Sequence, residues 1–172
     1  ARVPEHPARN FREAMQSQWF VQMFSRIEQK TGTIISNGRM DQYLYPYFES
    51  DISEGRITKE GAQELLDCYM LKVGRSGASA SVGVGGVKPN GNDATNALSY
   101  MFIEALMHTR LPGPDFAVLV HSKTPDEFLI RASQLCSLGI SHPQFLNYDV
   151  MIAQALARSS TGGAPMTLED AR

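Results

Sequence analysis

The sequence predicts an α/β fold, rich in helix and too poor in strands to close into a barrel by itself. Three observations carry this. Apolar residues recur at helical spacing in several capped segments, the second half alternates helix–strand–helix–strand–helix, and few strand-like runs occur in 172 residues.

Asn10-Phe11-Arg12-Glu13 has the form of a capping box. From there Phe11, Met15, Trp19, Met23, Phe24 and Ile27 recur at helical spacing to about Glu28, and Phe20 and Val21 widen the stripe, which predicts burial on more than one side. A turn, a short extended piece and a second turn at Asn37-Gly38 follow. Pro46 argues against one regular helix across Asp41–Phe48. Thr58 caps a helix to about Val73, with Ala62, Leu65, Leu66, Tyr69 and Val73 on one face. The run from Gly74 to Gly86 is rich in Gly, Ser and Ala and reads as a joint. It lacks the Gly-Lys-Ser/Thr ending of a phosphate loop.

Asp93 is placed to cap a helix through about Thr109, and Phe116–Val120 reads as a short buried strand. Thr124-Pro125-Asp126-Glu127 is a strong helix start, and Gly139 a helix stop. A short strand at Phe145-Leu146 precedes a helix from Asp149 to about Arg158. The organisation is therefore a helical segment (1–73), a joint (74–86) and an α/β segment (87–172).

Composition narrows the function classes. The 16 basic and 18 acidic residues are scattered without a basic–aromatic stripe, which excludes a nucleic-acid groove. No apolar run approaches the roughly 18–20 residues that span a bilayer. The chain opens on Ala1-Arg2-Val3-Pro4, without Met or an apolar signal core, and reads as processed or cut. Cys68 and Cys136 sit on helices with no His or Lys beside them, so both are expected to be packed, structural thiols in a reducing cytoplasm. The histidines His6, His108, His121 and His142 show no metal-ligand spacing. His121 ends the predicted strand, where a satisfied core histidine is favoured over a catalytic one. Acid pairs such as Glu49/Asp51 and Asp126/Glu127 read as solvated or capping groups. The residues alone define no active site.

Gly38-Arg39-Met40-Asp41-Gln42-Tyr43-Leu44-Tyr45-Pro46-Tyr47 resembles the Gly-Arg-x-Asp-Gln-Tyr-x-Tyr-Pro block of the glycyl radical enzymes, the pyruvate formate-lyase-like family. Gly85-Gly86-Val87, Gly91-Asn92-Asp93-Ala94-Thr95-Asn96-Ala97-Leu98-Ser99-Tyr100, Leu111-Pro112, His121 and Thr124-Pro125-Asp126-Glu127 continue the likeness in order. Leu168-Glu169-Asp170-Ala171-Arg172 is similar to the segment just ahead of the family's catalytic cysteine. Glu5–Ala8, Phe11–Ala14, Gln16–Phe20 and Gln22–Thr33 look most like the arylacetate (4-hydroxyphenylacetate) decarboxylase branch.

The resemblance implies an internal piece of a ten-stranded β/α barrel, in which a glycyl radical, installed by an S-adenosylmethionine iron–sulfur activase, takes hydrogen from a cysteine. Both the cysteine and glycine loops are expected beyond Arg172, so no catalytic residue and no bound cofactor or metal falls on this chain. The implied activity is decarboxylation of a small aromatic carboxylate; the alternatives are another glycyl radical lyase (formate-lyase-like, or C–O or C–S cleaving) or a non-catalytic binding or scaffold protein. Ser36, Ile34 and Thr33 are the expected substrate-binding residues, and Arg39 and Asp41 are expected to form a buried pair. A homo-oligomer is implied, and whether a small iron–sulfur subunit accompanies it stays open.

Overall fold

The computed structural model describes residues 2–29, 35–75, 80–160, 162 and 164–172. Strands β1 (Ile35–Arg39), β2 (Ala80–Gly85), β3 (Asp115–Val120) and β4 (Gln144–Asn147) form one open sheet in the order β1-β2-β3-β4, every pair parallel. The helices are α1 (Phe11–Gln29), α2 (Met40–Tyr43), α3 (Tyr45–Ser53), α4 (Lys59–Arg75), α5 (Ala97–Thr109), α6 (Asp126–Cys136) and α7 (Tyr148–Ser160). The expected α/β class holds: an open parallel sheet with helical crossovers.

Alternation along the strands divides the sheet into two faces. Ala80, Val82 and Val84 of β2 and Phe116 and Val118 of β3 share one core with Leu66, Phe102 and Phe128 of α4, α5 and α6. The opposite face is different. Ser36 stands in register with Ser81, Arg39 with Gly83, and Gly83 with Ala117. Ser36 is exposed, and Ser81 and Gly83 are half-buried. This second face has small residues and, among the described residues, no helix layer like that of the first.

Several local expectations shift. The predicted joint ends in β2, an inner strand whose Ala80, Val82 and Val84 are fully buried; Ser76–Ser79 lie outside the described residues. Parallel inner strands bury both flanks and do not need alternating polarity, so a run of small residues can serve as one. The turn at Asn37-Gly38 is a bulge inside β1, where the register slips between Ser36 and Gly38. Asn37 is drawn into the helix layer by a closed cycle of hydrogen bonds. Asn37 Nδ2 donates to Tyr69 Oη (3.0 Å), Tyr69 Oη to Gln18 Oε1 (2.5 Å), and Gln18 Nε2 to Asn37 Oδ1 (2.8 Å).

The caps also move. Asn10 Oδ1 accepts from Glu13 N–H as predicted, but the Glu13 carboxylate turns to Arg9. The first N–H of α1, at Phe11, goes to Asp51 Oδ2 at 2.8 Å, so this buried acid caps a helix from another element. Thr58 Oγ1 accepts from Gly61 N–H at the start of α4. At α5 the cap is Asn96 rather than Asp93, with Ser99 completing a capping box. Thr124 accepts from His121 N–H and does not cap α6. Pro46 sits in the first turn of α3, where its missing N–H costs nothing, and the Asp41–Phe48 segment splits there into α2 and α3.

Burial of α1 is one-sided. Phe11, Ala14 and Met15 are in the core, whereas Val21, Phe24 and Ile27 are 56%, 54% and 67% exposed. Cys68 and Cys136 are exposed free thiols and not packed ones. Among the described residues no helix is long and apolar enough to cross a membrane. The 172-residue chain expressed alone is predicted to self-associate through the outer face of α1. Replacing Val21, Phe24 and Ile27 together with Glu should raise the monomer fraction on size exclusion. Sharp, dispersed amide resonances from the unmodified chain at high concentration would contradict this.

Candidate functional site

In a parallel sheet the C-terminal strand ends lie along one edge, the usual place for a site in α/β folds. Here that edge is organised by Arg39, the last residue of β1. Its Nη2 donates to Gly85 O at 2.8 Å, and its Nη1 to Val87 O at 2.8 Å and Arg172 O at 3.2 Å. The guanidinium also lies over the Tyr148 ring, 5.5 Å from its centroid. Tyr148 Oη donates to the same Arg172 carbonyl at 2.7 Å.

Asp41 binds the other side of the same glycine. Its Oδ2 accepts from Gly85 N–H at 2.7 Å and from Ser99 Oγ at 2.5 Å. The expected Arg39–Asp41 ion pair is therefore not formed; the two side chains grip Gly85 from its two ends. Asp41 is fully buried and its Oδ1 has no hydrogen-bond partner. Burial raises its pKa above the usual carboxylate range, against the opposing effects of the Gly85 and Ser99 hydrogen bonds.

The loop after β2 turns at Gly85 and Gly86, with φ of +78° and +81°. A side chain at Gly86 would meet Leu119 Cβ and the Tyr148 ring at 3.2 Å, so this turn demands glycine on both counts. Gln42 Nε2 donates to Ala94 O and Asn96 Nδ2 to Asp41 O, stitching the loop to α2. Asp93, displaced from the expected capping role, accepts from His121 Nε2 at 2.9 Å. Lys123 N–H donates to His121 Nδ1 at 3.2 Å, which leaves the imidazole proton on Nε2 for Asp93. Both ring nitrogens of His121 therefore have hydrogen-bond partners. A cavity of about 220 Å³ opens beside it, lined by Val87, Gly91, His121, Lys123, Asp149 and Arg172 among others.

Of the predicted substrate-binding residues, Ser36 lies on the sheet face opposite the helix-packed core, in register with Ser81, while Thr33 and Ile34 lie outside the described residues. The sequence reading missed Ser81, the neighbour of Ser36 across β1 and β2, because it sat in the supposed joint. It also missed Tyr148 and Arg172, joined to Arg39 only through distant chain positions. Cys68 lies in a groove with Arg12, Met15 and Trp19 on the helix side. No cluster able to hold a metal occurs among the described residues.

This arrangement is an open parallel β/α arc with its ordered loops gathered at the C-terminal strand ends. The pyruvate formate lyase-like family matches residues 1–172, and the chain belongs to it. The isethionate sulfite-lyase of Nitratidesulfovibrio vulgaris is 41% identical over 92% of the chain and 21% of its own length. A solved structure concerning 1,2-propanediol dehydration in Roseburia inulinivorans is 40% identical, with a TM-score of 0.89 over 99% of this chain and 22% of that one. The glycyl radical subunit of 4-hydroxyphenylacetate decarboxylase from Clostridioides difficile is 33% identical over 95% of the chain and 20% of its own length. The chain spans about a fifth of the length of these relatives. The glycyl radical enzyme resemblance therefore holds, while the decarboxylase branch is a more distant likeness than the sulfite-lyase.

Because Asp41 holds its proton more tightly folded than unfolded, unfolding releases that proton, and the contribution to stability falls as pH rises above 3.8. In the full-length protein, Asp41→Asn should flatten this part of the stability–pH curve, gaining on the unmodified protein with rising pH. Denaturant midpoints across the acidic-to-neutral range check this.

Proposed function

We propose that the protein containing this chain is a glycyl radical lyase that cleaves a C–S or C–O bond in a small hydroxylated substrate held against the face carrying Ser36 and Ser81. The observation that carries the reading is the higher identity to a sulfite-lyase and to the structure concerning diol dehydration than to an arylacetate decarboxylase. The sheet face suits it. Two neighbouring hydroxyls, each able to donate and accept, match the hydroxyl or oxyanion of such a substrate. The arylacetate reading rests on the Thr31–Ile34 run, with Thr33 and Ile34 proposed to line the same pocket.

A glycyl radical, when installed by an activase, supplies a one-electron hydrogen acceptor at the site. Cys68 and Cys136 lie on α4 and α6, in the helix layer, so neither suits the thiol role, which is assigned to chain beyond Arg172. The residues described here bind and orient. Ser36 and Ser81 offer hydrogen bonds, and Arg39 and Asp41 hold the loop at the upper edge.

The test is anaerobic activation of the full-length protein followed by incubation with isethionate, 1,2-propanediol or 4-hydroxyphenylacetate. Release of sulfite or of a carbonyl product from a diol is expected; turnover of the arylacetate alone would overturn the reading. Ser36→Ala should raise KM about tenfold, as expected when a polar substrate group loses its partner. An unchanged KM would remove Ser36 from the site.

A further inference from the structure

We propose that Gln18, Tyr43 and Tyr69 are positioning residues that act through Asn37 to fix the bulge of β1, and with it the place of the Ser36 hydroxyl beside Ser81 on the proposed substrate face. The inference rests on the reading just given and adds to it the device that aims one of its two hydroxyls.

Residues three apart in a regular strand point to opposite faces. Ser36 and Arg39 are three apart, yet Ser36 is in register with Ser81 and Arg39 with Gly83, which share one face of β2. The slip between Ser36 and Gly38 brings them together, because Asn37 is the extra residue. Gly38, next in the chain, takes a φ of +65° with open space where a Cβ would stand, so the backbone turn alone favours glycine there. On the open face nothing holds Ser36. It is exposed, and its hydroxyl has no hydrogen-bond partner among the described residues. Its orientation comes from the backbone beneath it.

That backbone is anchored from the other side. Asn37 is the one buried residue of β1. Its Nδ2 donates to Tyr69 Oη at 3.0 Å, and its Oδ1 accepts from Gln18 Nε2 at 2.8 Å. Its main-chain carbonyl accepts from Tyr43 Oη at 3.1 Å. Side chains from α1, α2 and α4 thus converge on a single strand residue. Gln18 and Tyr69 are also bonded to each other, Tyr69 Oη donating to Gln18 Oε1 at 2.5 Å, so neither yields without the other. An apolar anchor would keep the strand against the helices but let it slide or roll, since hydrophobic attraction has no direction. Hydrogen bonds have direction, and these set where Asn37 sits and how it is turned. Ser36 is its immediate neighbour, and a hydroxyl serves a ligand only when distance and angle are both held.

The experiment uses the full-length protein as Tyr69→Phe, Tyr43→Phe, Ser36→Ala and the Ser36→Ala/Tyr69→Phe pair. Tyr69→Phe keeps the buried ring and opens the cycle. Tyr43→Phe removes a hydroxyl from an exposed ring, and so guards against a general folding failure. In the unactivated protein, hydrogen exchange of the peptide spanning Ile35–Arg39 should speed up about tenfold in Tyr69→Phe and less in Tyr43→Phe. Exchange at the unmodified rate in both variants would overturn the positioning role, whatever the protein turns over.

After activation, the substrate is isethionate or 1,2-propanediol, whichever the unmodified protein turns over. KM should rise about fivefold in Tyr69→Phe and about twofold in Tyr43→Phe, with kcat nearly unchanged. Because Tyr69 acts through Ser36, the pair should bind substrate no worse than Ser36→Ala alone. Losses that multiply in the pair, or a fall in kcat at unchanged KM, would assign the cycle to general stability and overturn the proposal. A KM unmoved by Ser36→Ala, or no turnover of either substrate, would instead overturn the functional reading beneath it.

Discussion

The peptide group of Gly85 is the point on which the upper edge of this molecule depends. Its N–H and C=O are both taken by side chains from a single short segment, Asp41 on one side and Arg39 on the other. The guanidinium of Arg39 makes its bond to the carbonyl stronger than a neutral one, and together with Asp41 it fixes the end of an inner strand and not a surface loop. Every neighbouring feature follows from that grip: the Gly85–Gly86 turn, the return of the chain to Ala94, the Asn96 cap of α5, and the Arg172 carbonyl beside Val87. The segment from Gly38 to Tyr47 is distinctive in sequence because so many of its side chains point at backbone elsewhere.

A second constraint is economy of side chain. β2 reads Ala-Ser-Val-Gly-Val-Gly, putting its larger residues under the helices and almost nothing on the other face. A barrel whose interior has to admit a substrate needs strands of this kind, since bulky inward residues would fill it. The same economy makes Arg39 conspicuous, as the one long cation that β1 and β2 place along that face.

Much of this was legible in the chain. Helical periodicity located α1, α4, α5, α6 and α7 to within a few residues, because an amphipathic helix writes its buried face into its spacing. The strand β3 was legible from Phe116 to Val120 for its apolar run. β2 was hidden because small residues carry the signature of a linker and of an inner parallel strand alike. Caps were misplaced where two candidates competed: Asp93 and Asn96 both stand before α5, and the Asp93 carboxylate is taken by His121 and Thr95, which leaves the cap to Asn96. The site divides in the same way. Arg39 and Asp41 were visible as charged residues needing partners, but their partner is a backbone group 46 or 44 positions away, which no local pattern announces.

The cycle of Gln18, Asn37 and Tyr69 bears on how this chain can change over time. Each member gives one proton and takes one, and because a phenol has a single proton to give, Tyr69 must donate to one amide and accept from the other. Replacing any one member strands a donor on one neighbour and an acceptor on the other, in a place mostly shut off from water. The first substitution therefore carries nearly the whole penalty, and the second and third add little. Such positions are not free to drift singly. They are exchanged as a set or kept, and the bulge that shapes the edge strand of the arc is kept with them.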